Sequence, residues 1–212
     1  MNDSIKILSR ADALVSMRIY KGHFATPHSH INYFVDMTNL KARQNEAEAA
    51  ARILAQRHVT ATPVDTIICM DGCEAIGAYL AQELTQAGTL SMNMHNTIYV
   101  ARPELALGGQ LIFRDSMQHM VRDKNVLLLL ALATTGETIR ACVDCVLYYG
   151  GRISGISAIF SAISKVAGME VISVFTEKDI PDYMTYSASN CPLCKEGTAL
   201  DGIVNGFGMS KL

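Results

Sequence analysis

The sequence predicts an α/β fold: a mainly parallel sheet flanked by helices, with a small strand–helix segment at the N-terminus. Short apolar runs recur from residue 65 onward, and helical patterns separate them. The runs are continuous rather than alternating, which marks strands buried on both faces. Strands that alternate with helices pack as a parallel sheet covered on two sides.

Residues 1–60 differ in pattern from the rest. Ile31-Asn32-Tyr33-Phe34-Val35-Asp36 reads as a strand. In 44–54 the Ala content and the Glu48/Arg52 spacing favour a helix. Pro63 interrupts, and residues 61–212 form the main α/β core. Asp65-Thr66-Ile67-Ile68-Cys69-Met70 reads as a buried strand running through Asp71-Gly72 into a helix. That helix carries Ile76, Leu80 and Leu84 and stops near Gly88. Further strands are expected at 97–101, 110–113, 126–131, 153–160 and 171–175, and further helices at 115–122, 137–149 and 161–167. The sheet should have about five strands.

With 212 residues the chain fits one compact domain with a full core. A net charge of −2 and the lack of any Lys/Arg-rich run argue against nucleic-acid binding. Met1-Asn2-Asp3-Ser4-Ile5-Lys6 lacks the basic and then apolar pattern of a secretory signal. The longest apolar run, 126–133, is too short to span a bilayer as a helix. Six cysteines without such a signal suggest a reducing compartment, so a cytoplasmic location is expected.

The most informative segment is the apolar run 126–133 followed by Thr134-Thr135-Gly136-Glu137-Thr138. A strand ends, a Thr/Gly turn follows and a helix begins. Such a turn points backbone N–H groups outward at the positive end of a helix, a natural place for a phosphate. Thr134, Thr135 and Thr138 add hydroxyls, while Gly136 admits backbone angles closed to other residues. The bland alternative is that Thr135 or Thr138 only caps the helix. There is no G-x-x-x-x-G-K-[ST] loop and no dinucleotide G-x-G-x-x-G.

The segment resembles the signature of type I phosphoribosyltransferases, in which a strand leads through two acidic residues into T-T-G-x-T. Other segments resemble the orotate phosphoribosyltransferases of that family in the same order. Asp71-Gly72 is similar to their pyrophosphate loop. Tyr99-Val100-Ala101-Arg102-Pro103-Glu104 with Leu107-Gly108-Gly109-Gln110-Leu111-Ile112 is similar to their strand and mobile catalytic loop. His23-Phe24 through Tyr33-Phe34-Val35-Asp36 resembles the N-terminal hood, and Cys191-Pro192-Leu193-Cys194-Lys195-Glu196-Gly197 resembles a C-terminal motif of some members.

The resemblance implies transfer of a phosphoribosyl group from phosphoribosyl pyrophosphate (PRPP) to a nucleobase, orotate or another pyrimidine, with Mg²⁺ and release of pyrophosphate. Loop 134–138 would hold the 5-phosphate, Asp71, Gly72 and Arg102 would face the pyrophosphate, and the hood near Phe24 would cover the base. It also implies a homodimer. Arg102 is read equally well as one side of a surface salt bridge.

The chain departs from the family at the two acidic positions, which hold Leu130 and Ala131. Neither offsets charge in a cationic transition state, and losing one such group can cost ~10²–10³-fold in rate. Glu137 is the nearest acid in the sequence to take their place. Residues 103–112 contain no Lys, Arg or His to hold pyrophosphate; Arg102 and Arg114 flank them. The hood has no Lys for a carboxylated base, leaving His28 and His30, which read as surface residues. The alternative function is therefore a non-catalytic protein that binds a nucleotide or another phosphorylated ribose.

Cys142 and Cys145 lie three apart on a predicted helix and read as core, as do Cys69 and Cys73. Met92, Met94, Met117 and Met120 read as core or interface filling. Cys191 and Cys194 form a C-P-x-C-x-x-G turn like a zinc knuckle, but Zn²⁺ needs four ligands and no second knuckle is nearby. Histidines or a partner subunit could complete the set; otherwise the turn packs beneath the C-terminal segment.

Overall fold

The computed structural model describes residues 4–58, 63–86, 93, 97–107 and 109–212. The helix stop near Gly88, Met92, Met94 and Gly108 lie outside the described residues.

The chain begins with β1 (Ile5–Leu8), β2 (Ser16–Ala25) and β3 (His30–Asp36), followed by α1 (Thr38–Ala42) and α2 (Gln44–Ala55). The core then runs through β4 (Thr66–Cys69), α3 (Glu74–Gln86), β5 (Tyr99–Ala101), β6 (Glu104–Leu105) and β7 (Leu111–Ile112). It continues with β8 (Asn125–Ala133), α4 (Glu137–Tyr148), β9 (Arg152–Ser161), β10 (Lys165–Val166) and β11 (Met169–Thr176). The C-terminal part adds β12 (Thr185–Tyr186), α5 (Pro192–Lys195), β13 (Gly202–Asn205) and β14 (Gly208–Lys211).

The central sheet has the order β10-β11-β9-β8-β4-β5 and is parallel apart from the β10–β11 edge pair. β8 lies in its middle and alternates between two apolar clusters, as period-two side chains must. Leu127, Leu129 and Ala131 join the cluster that takes in α2, α3 and the N-terminal strands. Leu128 and Leu130 join the cluster beneath α4, with Ile139, Cys142 and Val146. Apolar groups on both faces explain why the strand reads as one unbroken run.

A second sheet, of order β12-β3-β2-β13-β14, forms the hood. Its strands come from both ends of the chain. β2 pairs with β3 on one edge and shares the other between β1, at residues 16–19, and β13, at Phe24 and Ala25.

Three expected elements are corrected. Residues 161–167 are not a helix: β10 turns back antiparallel onto β11 through Ala167 and Gly168, both with left-handed φ (49° and 80°). The spacing of Ala162, Ile163 and Val166 mimics a helix, but Ile163 and Val166 pack into the cluster beneath α4 while Ala162 packs into the opposite one. The expected strand 110–113 is only the short β7, paired with β6 in a separate ribbon outside the central sheet. Residues 115–120 form a 3₁₀ rather than an α-helix.

Candidate functional site

β8 delivers the turn 134–138 to the carboxyl end of the central sheet, where ligands of open α/β sheets bind. Gly136 stands at the helix entrance with φ 81°, and a β-carbon there would meet Val166 Cγ2 at 2.9 Å and Ile163 Cδ1 at 3.0 Å. Both conformation and space therefore call for glycine. The first N–H groups of α4 have no partner within the helix. Thr134 and Thr138 line a cleft of about 130 Å³.

That cleft lies between the two sheets. Thr26, His28 and Phe34 of the hood form one wall, Asp71 and Leu132 of the core another, and Asn205 and Gly206 of the β13–β14 turn close it. The lining combines the Thr134 and Thr138 residues of the turn with the apolar residues Ile31, Phe34 and Val35.

Of the candidates, Thr134, Thr138 and Asp71 line one cleft, with Gly136 and Gly72 in the same two turns, while Phe24, Arg102 and Glu137 lie outside its lining. Phe24 is buried under the hood, its ring 6.0 Å from that of Phe34, and it is Phe34 that faces the cleft. Arg102 pairs with Glu74 at 3.3 Å on an exposed surface. Glu137 is exposed and pairs with Arg140 at 2.7 Å, and Arg140 also donates to the Thr135 carbonyl at 3.3 Å. Glu137 is not among the residues that line the cleft. Leu130 and Ala131 are fully buried on opposite faces of β8.

Asp71 and Gly72 form the tight turn after β4, with φ of 58° and 78°. Burial raises the Asp71 carboxyl above the usual carboxylate range; the Lys41 ammonium and the backbone N–H groups of Ala131 and Leu132 act in the opposite direction. Lys41 is a site residue that the sequence reading missed. Its Nζ donates to the carbonyls of Asp71 at 2.8 Å and Gly206 at 2.5 Å, and lies 6.0 Å from the Phe207 ring centroid. The β13–β14 turn therefore sits over the turn expected to receive pyrophosphate.

The donor set does not fit Mg²⁺. A hard cation takes oxygen ligands. Leu130 and Ala131 supply none, and the Asp71 carboxyl packs against Gly206 and faces two backbone N–H groups.

Cys69, Cys73 and Cys142 are buried and their thiols are pushed up by burial, Cys142 to about 12. They pack as expected of small apolar groups. Cys145 is also buried, and its thiol donates to the Leu111 carbonyl at 3.3 Å.

No protein-family model matches the chain. Solved structures of similar fold include orotate phosphoribosyltransferase from Aeropyrum pernix, at 18% identity and TM-score 0.52, covering 84% of this chain and 92% of that one. Orotate phosphoribosyltransferase of Mycobacterium tuberculosis H37Rv, in complex with Fe(III) dicitrate, matches at 16% identity and TM-score 0.52, over 77% and 91% of the two chains. Leishmania donovani UMP synthase matches 77% of this chain at 16% identity and TM-score 0.55, and the match spans 34% of that longer protein. The protein has the type I phosphoribosyltransferase fold that its Thr loop implied. Among the described residues no helix is long and apolar enough to cross a membrane.

Proposed function

We propose that this protein binds a 5-phosphorylated ribose compound, PRPP or a nucleotide, in the cleft between hood and core, and does so without transferring the phosphoribosyl group. The observation that carries this reading is the shared cleft of Thr134, Thr138 and Phe34. The phosphate would take the hydroxyls and N–H groups at the start of α4, and the base would lie on the apolar side at Phe34. Leu130 and Ala131 favour binding over catalysis, because buried apolar groups cannot stabilise a cationic centre.

The second reading is an active phosphoribosyltransferase acting on orotate or another base. Its support is the fold shared with orotate phosphoribosyltransferases. With PRPP as the ligand, its pyrophosphate would lie toward the Asp71–Gly72 turn, and the β13–β14 turn would have to shift to admit it. A homodimer belongs to the same reading, with exposed Leu105, Leu107, Leu147 and Tyr148 available for an interface. So does a cytoplasmic location, where six unpaired thiols stay reduced.

Calorimetric titration with PRPP and nucleoside monophosphates, with and without Mg²⁺, tests the proposal. Binding that Thr138→Val weakens about tenfold, the worth of a lost charge-assisted hydrogen bond, supports it. Absence of binding to all of them removes it. Pyrophosphate release with a panel of nucleobases would establish the second reading instead.

A further inference from the structure

The C-x-x-C turn of the C-terminal segment finds its two missing partners in the hood. His23 on β2, His30 at the start of β3, Cys191 just before α5 and Cys194 within it bring four ligand atoms within 4.8 Å of one another. His23 Nε2 lies 3.1 Å from His30 Nδ1, 3.5 Å from Cys191 Sγ and 3.6 Å from Cys194 Sγ. His30 Nδ1 lies 3.3 Å from Cys194 Sγ.

These four separations match edges expected of a tetrahedral metal site. With bonds of about 2.0 Å to nitrogen and about 2.3 Å to sulfur, the edges come to about 3.3 Å for N–N and about 3.5 Å for N–S. Four of the six edges match these lengths to within about 0.2 Å, and all four atoms lie within 4.8 Å of one another.

The surroundings prepare the ligands. His23 Nδ1 lies 2.9 Å from the Thr198 carbonyl, which can only accept. The proton of a neutral imidazole is therefore held on Nδ1, leaving the Nε2 lone pair directed at the cluster. Around the cysteines, Lys195 N–H donates to the Cys191 carbonyl at 3.2 Å, Gly197 N–H to Cys194 at 3.1 Å and Thr198 N–H to Leu193 at 2.9 Å. Gly197 adopts φ 75°, which closes the knuckle.

We propose that His23, His30, Cys191 and Cys194 bind one structural Zn²⁺ ion. Two thiolates and two neutral imidazoles balance its charge, as burial of His23 and Cys191 requires, and a closed S₂N₂ tetrahedron selects zinc. All four positions are protein side chains, so no coordination site remains for a substrate. The ion ties the C-terminal knuckle to the hood strands on either side of 26–28, and so holds the segment that leads into β13 against the cleft.

The test is the metal content of the full chain, purified without chelator and without a metal-affinity step. Mass spectrometry of the ashed protein should find one zinc per chain, and the double variant His30→Ala/Cys194→Ser should hold at least about tenfold less. Because a variant can fail to fold, the unaltered chain stripped by chelator is also reloaded with Co²⁺. Tetrahedral visible bands with thiolate charge transfer are expected. A chain that carries no zinc and takes up neither Zn²⁺ nor Co²⁺ overturns the proposal, as does a double variant that keeps a full equivalent. Neither result depends on whether PRPP binds.

Discussion

Gly206 lies so close to Asp71 that a β-carbon at position 206 would overlap the Asp71 side chain at Cβ, Cγ and Oδ1. The contact joins the β13–β14 turn to the turn after β4. The Asp71 carboxyl is held by the backbone N–H groups of Ala131 and Leu132 and its Cβ is fixed to the backbone, so an added methyl must push the turn outward. Gly206→Ala should destabilise the protein by about 1–3 kcal/mol, the range for overpacking a tight contact. Urea unfolding measures it. An unchanged midpoint would mean that the turn yields without cost.

Lys41 carries the same junction by a different force. Its ammonium serves two backbone carbonyls, those of Asp71 and Gly206. Lys41→Met leaves both without that donor, at a cost of about 1–3 kcal/mol. Removing the cation should also raise the Asp71 carboxyl further, since Lys41 now pulls it down. Amide exchange across 202–211 should speed up in the variant while that of β8 stays slow.

Restoring acids at the family positions should fail. Leu130 and Ala131 are fully buried, so a carboxyl at either loses its hydration and its pKa rises, by about 3–5 units in a fully buried site. A folded pKa above the unfolded one gives no penalty at low pH and a growing penalty as pH rises. Leu130→Asp/Ala131→Asp should therefore lose at least about 4 kcal/mol at neutral pH and recover part of it toward pH 4. Gain of phosphoribosyl transfer without loss of stability would contradict the burial argument and favour the transferase reading.

His58 gives the wild-type protein its own acid sensitivity. It is 1% exposed, hydrogen-bonded to Ser157 Oγ at 2.8 Å, and burial, helped by the Arg57 charge, lowers its pKa from 6.5 to about 4. Between those values the unfolded chain binds a proton that the folded chain refuses. Stability is thus full above pH 6.5 and falls as pH drops toward 4, by up to about 3 kcal/mol. His58→Gln should flatten that part of the pH profile of the urea midpoint.

The centre of the fold was legible in the sequence because its signals are local. The run 126–133 and Gly136 name a buried strand and a left-handed helix entrance within a dozen residues. The hood was half legible. β3 was read, but β2 is half-exposed and lacks a strong apolar run, and its partner β13 is far away in the chain. The cleft wall at Asn205 and Gly206 and the role of Lys41 could not be read for the same reason: each depends on tertiary contact with the turn at Asp71. The histidines beside Cys191 and Cys194 show this most plainly. His30 read as a surface residue, and only the pairing of β2 with β3 sets it beside His23.

The hood has a consequence for the order of folding. His23 N–H donates to Asp201 Oδ2 at 2.8 Å across 178 residues of chain, and β2–β13 pairing closes the same long loop. Loop closure of that length is entropically expensive, and contacts between distant residues form slowly. The central sheet closes shorter loops, the longest between β4 and β8, and can assemble first, so the cleft is finished last. During refolding, protection at β8 and β9 should precede protection at β2, and ligand binding should return only with the later phase.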